Sequence, residues 1–219
     1  MSFLSNWATY WTEGGLSRGF VNTMSAFVVA SVLTVVWAMV VAVLRMSPIA
    51  PVRVVAIAYI EIFRGTPLLV QLLTFFATLP IMIGLQLPPF ETAVLVLTLN
   101  FGPYLAESYR SGLQAVPRGQ SEAGLAIGMS RVQVFRRVTL PLAARIVLPA
   151  IGNTLAGLLL TTSFVFLVGL EDMAAKANQI MNRTNDWSVY LFVTLIYVGL
   201  GLVLLAGNNW VERRFRPLT

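Results

Sequence analysis

The feature that most constrains this chain is its long stretches without a charge. Residues 19–44, 65–90, 146–170 and 187–211 contain no Asp, Glu, Lys or Arg. A helix of about 20 apolar residues crosses the hydrocarbon core of a bilayer, so each stretch is long enough to span. The rest of the composition agrees. Apolar residues make up 57% and charged residues 11% of the 219 positions, against about 25% charged in soluble domains. The mean hydropathy is +0.78. The expectation is an all-α integral membrane protein with five transmembrane helices, at about 19–44, 54–85, 88–109, 142–170 and 187–211. The second is unusually long and holds Pro67 and Pro80, so a bend is expected. The third contains fewer consecutive apolar residues and spans only if tilted.

Basic residues set the orientation. Arg45 and Arg53 separate the first two spans. Arg110, Arg118, Arg131, Arg136, Arg137 and Arg145 separate the third and fourth, and Arg213, Arg214 and Arg216 follow the fifth. All fall on one side, which is read as cytoplasmic. The other side carries Arg18, Lys176 and Arg183 against Glu13, Glu91, Glu171, Asp172 and Asp186. The N-terminus is then outside and the C-terminus inside. The net charge of +6 is a topology signal on this reading, and no nucleic-acid partner is expected. Residues 1–17 lack the basic and apolar regions of a signal peptide. In the N-terminal segment 1–18, Trp7, Tyr10 and Trp11 fit a short helix at the outer interface, the alternative being a disordered leader. Residues 19–215 form one transmembrane domain and 216–219 a tail.

Composition excludes several chemistries. With no Cys and no His there are no disulfides, thiolate metal sites, imidazole bases or HExxH zinc sites. The single Lys, Lys176, follows Ala175, so a GxxxxGK[ST] phosphate loop is absent. No catalytic or metal-binding residue is expected. An energy source must be a partner or an ion gradient.

The segment 110–141 is the long hydrophilic connection. Pro117 suits the first turn of a helix, Gly128 a C-terminal cap and Ser130 the N-cap of a second helix running to Val138. Pro141 is expected to break the chain before the fourth span. Ala123, Gly124, Ala126 and Gly128 leave a face with little bulk, on which another protein can approach closely.

Here the residues resemble a family. Glu122-Ala-Gly124, then Gly128, Val138 and Leu140-Pro141, are similar to the EAA loop of ABC-importer permeases, with Gly for the usual second Ala and Val for Ile. The run from Glu61 to Gln71 (EIFRGTPLLVQ), Tyr104 to Arg110 (YLAESYR) and Pro117 to Ala123 (PRGQSEA) resemble, in order, three stretches of the polar-amino-acid permease subfamily. The resemblance implies the type I importer permease (MetI-like) fold, in the bacterial cytoplasmic (inner) membrane. It implies a second permease subunit, two cytoplasmic ATPase subunits and an external solute-binding protein. ATP and Mg2+ would sit on the ATPase, and no cofactor on this chain. Gly119, Glu122, Ala123, Gly124, Gly128 and Met129 would form the coupling helix that docks on the ATPase. For Glu122 the alternative is a role confined to the loop's own fold.

Polar groups inside the membrane are costly and mark candidates for a solute path. Glu61 and Arg64 are three residues apart and can neutralise each other on one face, as a structural pair or as substrate contacts. Thr66 and Gln71 follow, able to satisfy the carbonyl that Pro67 leaves free. Asn100, Tyr104 and Glu107 make one stripe, lining a path or bonding between helices. Thr161, Thr162 and Ser163 occupy the place of the subfamily's KDTSL string, with Leu160 and Thr161 replacing Lys and Asp. That departure favours one half of a heterodimer, or a substrate of different charge pattern. Glu171 and Asp172 are candidate contacts for the binding protein, or a solvated loop. Gly199, Gly201, Ala206 and Gly207 suit close helix packing. An ion-coupled secondary transporter or channel is the alternative function, disfavoured by the absence of an inverted repeat.

Overall fold

The structure is a computed structural model and describes residues 2–84 and 86–215. Met1, Leu85 at the end of the expected second span, Arg216 and the 216–219 tail lie outside the described residues. The described residues form eleven α-helices with two π turns and one 3-10 segment. In chain order these are α1 (Ser2–Thr12), α2 (Leu16–Arg45), α3 (Ala50–Gly65), α4 (Leu68–Leu73), α5 (Leu79–Ile83), α6 (Pro89–Gln114), α7 (Arg118–Ala126), α8 (Arg131–Val134), α9 (Leu140–Thr161), α10 (Met173–Thr184) and α11 (Ser188–Phe215).

Three helical rods are long and apolar enough to cross a membrane: Leu16–Arg45, Arg131–Val168 and Ser188–Arg214. A fourth crossing is reached only if the broken pair α3 and α4–α5 counts as one span. The expected third span, α6, has 26 residues and is about 39 Å long, but polar side chains keep it outside that apolar class. It is the central helix of the bundle. Its buried positions include Thr92, Thr98, Asn100 and Gly102, and it packs chiefly on α2, which presents Ala26, Ala30, Ser31, Thr34, Ala38 and Ala42. Small residues let the two backbones approach without a water-driven hydrophobic term, which is weak in lipid.

The expected second span is bent, as its prolines imply, and the bend is a sharp break. Its two halves meet at 106°, broken at Thr66-Pro67. Proline lacks the N–H that its fourth preceding carbonyl would accept, so the Phe63 carbonyl is free. The Gln71 Nε2 donates to it at 3.1 Å, to the Thr66 carbonyl at 3.2 Å and to Thr66 Oγ1 at 2.7 Å. α6 solves the same problem at Pro103. The Leu99 carbonyl, freed one turn earlier, accepts from the Tyr59 hydroxyl at 2.8 Å, and that hydroxyl accepts from Trp37 Nε1 at 2.7 Å. Here α2, α3 and α6 are tied together by one proline. A Cβ at Gly102 would lie 2.7 Å from Trp37 Cδ1, so glycine admits the indole.

Pro80 and Pro141 have a different remedy. Each follows a π turn, Thr74–Thr78 and Phe135–Thr139. The Leu79 N–H reaches back to the Thr74 carbonyl and the Leu140 N–H to the Phe135 carbonyl. The wider register lets a residue without an N–H enter the rod. Pro141 therefore does not break the chain, contrary to expectation: α8, the π turn, α9 and a 3-10 segment (Thr162–Val168) run on as one 38-residue rod.

At the end read as outer, α1 is a helix. Its aromatics are packed inward, Trp7 stacked on Phe192 at 5.0 Å and Trp11 tilted against Phe20 at 5.7 Å. The Tyr10 hydroxyl donates to Asp186 at 2.7 Å. The hydroxyls of Ser188 and Tyr10 help pull the Asp186 carboxyl down to about 2. The small residues of α11 do not make the expected packing: nothing lies within 4 Å of a Cβ at Gly199, Gly201 or Gly207. Close approach to α9 occurs at Gly152, where the Asn208 side chain fills the space and donates to the Pro149 carbonyl and Asn153 Oδ1.

Candidate coupling loop and candidate solute path

The cytoplasm-assigned loop is built from local signals. α7 begins after Pro117, and Gly128, at φ +84°, ends its turn in the left-handed region that favours glycine. Ser130 then caps α8 through a reciprocal box: its hydroxyl accepts from the Gln133 N–H and the Gln133 side chain accepts from the Ser130 N–H. α7 folds back on the π turn, with Ser121 Oγ 3.3 Å from Thr139 Oγ1. Gly124 is the point of contact. A Cβ there would stand 3.0 Å from Val134 Cγ2 and 3.5 Å from Met129 Sδ. Gly124 is buried, so it serves the loop's own helix crossing and not the outer face, and Met129 is tucked beside it. Gly119, Glu122, Ala123 and Gly128 are exposed. Glu122 has no side-chain partner among the described residues.

The outward face carries residues that sequence reasoning missed. Ile127 is 80% and Val132 66% exposed, with Leu125 also uncovered. Apolar surface on a segment read as aqueous marks a protein contact. The available signal was the clustering of branched apolar residues in a basic loop.

The loop leaves the bundle at a cluster of charges. Glu107 is held by Arg110 at 2.7 Å and by Arg45 at 3.4 Å, and Arg110 also donates to Gln114 at 2.6 Å. The expected stripe of Asn100, Tyr104 and Glu107 is thus divided. Glu107 ties α2 to α6 at the foot of the loop. Asn100 is buried and donates to Gln71 Oε1 at 3.1 Å. Tyr104 is half-exposed, with the Arg64 guanidinium 5.4 Å from its ring centroid, a cation–π arrangement.

The expected Glu61–Arg64 pair is not formed: Arg64 turns to Tyr104, and Glu61 is exposed and without a charged partner among the described residues. The hydroxyls of the 160s are used locally. Thr161 donates to the Gly157 carbonyl, Thr162 to Leu159 and Ser163 to Leu160. Thr162 is fully buried, Ser163 half-buried and Leu160 52% exposed. Of the polar candidates, Glu61, Arg64, Thr66 and Tyr104 are exposed.

At the end read as outer the two acidic candidates separate. Glu171 is exposed, and Lys176 at 2.8 Å holds its carboxyl below the usual range. Asp172 is wholly buried. It caps α10 by accepting from the Ala175 N–H at 2.8 Å, and burial pushes its carboxyl up to about 7. It is a cap and not a surface contact, because α10 folds over it. Among the described residues no group of three or more acidic side chains fits a metal ion.

Comparison with known proteins places this geometry among transporters. The profile of the family described as "binding-protein-dependent transport system inner membrane component" matches residues 34–217. The L-cystine transport system permease protein TcyB of Bacillus subtilis is 34% identical over 201 residues, covering 91% of this chain and 86% of that protein. The arginine transport system permease protein ArtQ of Bacillus subtilis is 32% identical, covering 91% of each. The glutamine transport system permease protein GlnP of Escherichia coli is 34% identical, covering 75% of this chain and 76% of that protein. Among solved structures, an amino acid ABC transporter crystallised with histidines has a chain 33% identical, with a TM-score of 0.89 over 98% of this chain and 99% of that one. A chain of the inward-facing MetNI methionine transporter shares the fold at a TM-score of 0.76, 23% identity, and coverage of 92% and 96%.

Proposed function

The chain belongs to the family of inner-membrane components of binding-protein-dependent transport systems, and from that premise we propose that it forms one half of the path for a polar amino acid. It supplies the path and no chemistry. An external binding protein delivers the solute. Two ATPase subunits, carrying ATP and Mg2+, dock beneath and drive the change between outward- and inward-facing states. The relatives named for cystine, arginine and glutamine support the substrate class.

The observation that carries the coupling role is the loop itself. α7 is a short rigid helix, braced from behind by Val134 and Met129 at Gly124. It presents an unpaired Glu122 and uncovered Ile127 and Val132. A rigid element transmits displacement where a flexible one would absorb it. The exposed members Gly119, Glu122, Ala123 and Gly128 face the ATPase. The five crossings are proposed at α2, the broken α3–α5 unit, α6, the α8–α9 rod and α11, with the N-terminus outside and the C-terminus cytoplasmic.

Glu61, Arg64, Thr66 and Tyr104 are exposed, and charges at membrane depth need a water-filled cavity or a second subunit. We propose that a second permease subunit covers them. A chain of different sequence is favoured, because Leu160 and Thr161 stand where the subfamily resemblance implies Lys and Asp. Glu171 is the remaining candidate contact for the binding protein.

Affinity purification of the tagged chain, coexpressed with its candidate ATPase and sister permease, tests the reading. Stoichiometric ATPase and a second permease are expected. A fully active transporter assembled from this chain and the ATPase alone would refute the heterodimer.

A further inference from the structure

A crevice of about 570 Å3 opens on the flank of the subunit between α2, α6 and the rod of π turn and α9. Its walls include Met39, Met46, Leu113, Phe135, Leu140 and Leu148. The lining is apolar except for Tyr109, whose hydroxyl is engaged by the Val35 carbonyl at 3.3 Å. Along α2 the crevice runs from Val35 to Met46, a rise of about 16 Å. That is about half of the ~30 Å hydrocarbon core, the depth of one leaflet.

An apolar crevice of this depth, on helices proposed to cross the bilayer, suits a hydrocarbon chain.

Charge lies close by in the chain. Phe135 and Leu140 both line the crevice, and the Leu140 N–H donates to the Phe135 carbonyl across the π turn. Arg136 follows Phe135 directly. Arg131 lies one turn before Phe135 on α8. Both are exposed and without an acidic partner among the described residues. The neighbouring Arg45 and Arg110 differ, since Glu107 takes both.

We propose that this crevice holds an acyl chain of an anionic phospholipid of the cytoplasmic leaflet, with its phosphate on Arg131 and Arg136. Guanidinium groups bind phosphate through paired hydrogen bonds, and basic pockets between helices at the cytoplasmic surface suit anionic headgroups. The lipid then braces the junction of α2, α6 and α9 behind the coupling loop. The inference rests on the orientation proposed above.

Native mass spectrometry of the purified permease–ATPase complex, incubated with equal phosphatidylglycerol and phosphatidylcholine, tests it. Retention of phosphatidylglycerol over phosphatidylcholine is expected. An Arg131→Gln, Arg136→Gln double variant lowers phosphatidylglycerol retention by about tenfold, and the Arg→Lys pair restores most of it. Ala144→Trp, on the crevice wall, lowers retention of both lipids. Equal retention of the two lipids by the wild type overturns the proposal. So does unchanged retention in Ala144→Trp, or a double variant that loses ATPase while keeping its lipid. Absence of ATPase from the wild-type preparation counts against the permease reading instead, and the lipid comparisons are then read on the chain alone.

Discussion

The break at Thr66-Pro67 and the loop between α6 and α9 are both rich in polar residues, and they use them in opposite ways. At the break the uncharged polar side chains are spent inside the chain. Gln71 meets the Phe63 carbonyl, Thr66 and Asn100, and Tyr59 meets Leu99 and Trp37. In the loop, Glu122, Arg131 and Arg136 meet nothing acidic or basic among the described residues, and Ile127 and Val132 lie bare. Satisfied groups hold a fold together. Unsatisfied groups on a rigid, capped element await another molecule. The contrast assigns the candidates more sharply than residue type does.

The largest effect that would break this contrast is at the saturated node. Gln71→Leu strands the Phe63 carbonyl and the Asn100 amide in a buried site. It is expected to cost about 2–4 kcal/mol, read as a lowered thermal midpoint of the detergent-solubilised complex, with ATPase still bound to what remains folded. A wild-type midpoint would make the node dispensable.

Asp172 comes next, through pH. Its folded carboxyl titrates near about 7 against an ordinary value of about 3.9. Between these values the folded state binds more protons than the unfolded one. Stability is therefore full below about pH 4, falls as pH rises toward 7 and is flat above. Asp172→Asn keeps an N-cap acceptor and removes this slope. It should stabilise at pH 8 by about 1–3 kcal/mol and change little at pH 4. An unchanged slope in melting curves across pH would contradict the burial account.

Tyr59→Phe removes the donor to the Leu99 carbonyl and the acceptor for Trp37 and should cost about 1–2 kcal/mol, measurable by the same melting curves. At the small end, Glu122→Ala should leave stability within about 0.5 kcal/mol while weakening capture of the ATPase in a pull-down. Loss of stability there would return Glu122 to the loop's own fold.

Much of this was legible in the sequence because the causes were local. The uncharged runs 19–44, 146–170 and 187–211 fall on the three long apolar rods, Pro117, Gly128 and Ser130 punctuate the loop, and Gln71 stands one turn past the proline whose orphaned carbonyl it serves. What was not legible depends on partners distant in sequence or on backbone register. Gly124 reads as a bare docking face until Val134 is seen against it. Pro141 reads as a break until the π turn carries it into α9. Asp172 reads as an exposed acid until α10 folds over it, and Arg64 reads as the mate of Glu61 until Tyr104 arrives from another helix. The glycines of α11 face open space while Gly152, unremarked in the sequence, carries the contact.

The central claim is that this loop couples the path to an ATPase. The most direct measurement is ATP hydrolysis by the reconstituted complex in liposomes, with the cognate binding protein and a panel of polar amino acids, wild type beside Glu122→Ala. The account predicts that one loaded binding protein stimulates hydrolysis in the wild type and that the stimulation is reduced in the variant. Uptake that follows an ion gradient, with no associated ATPase, would contradict it.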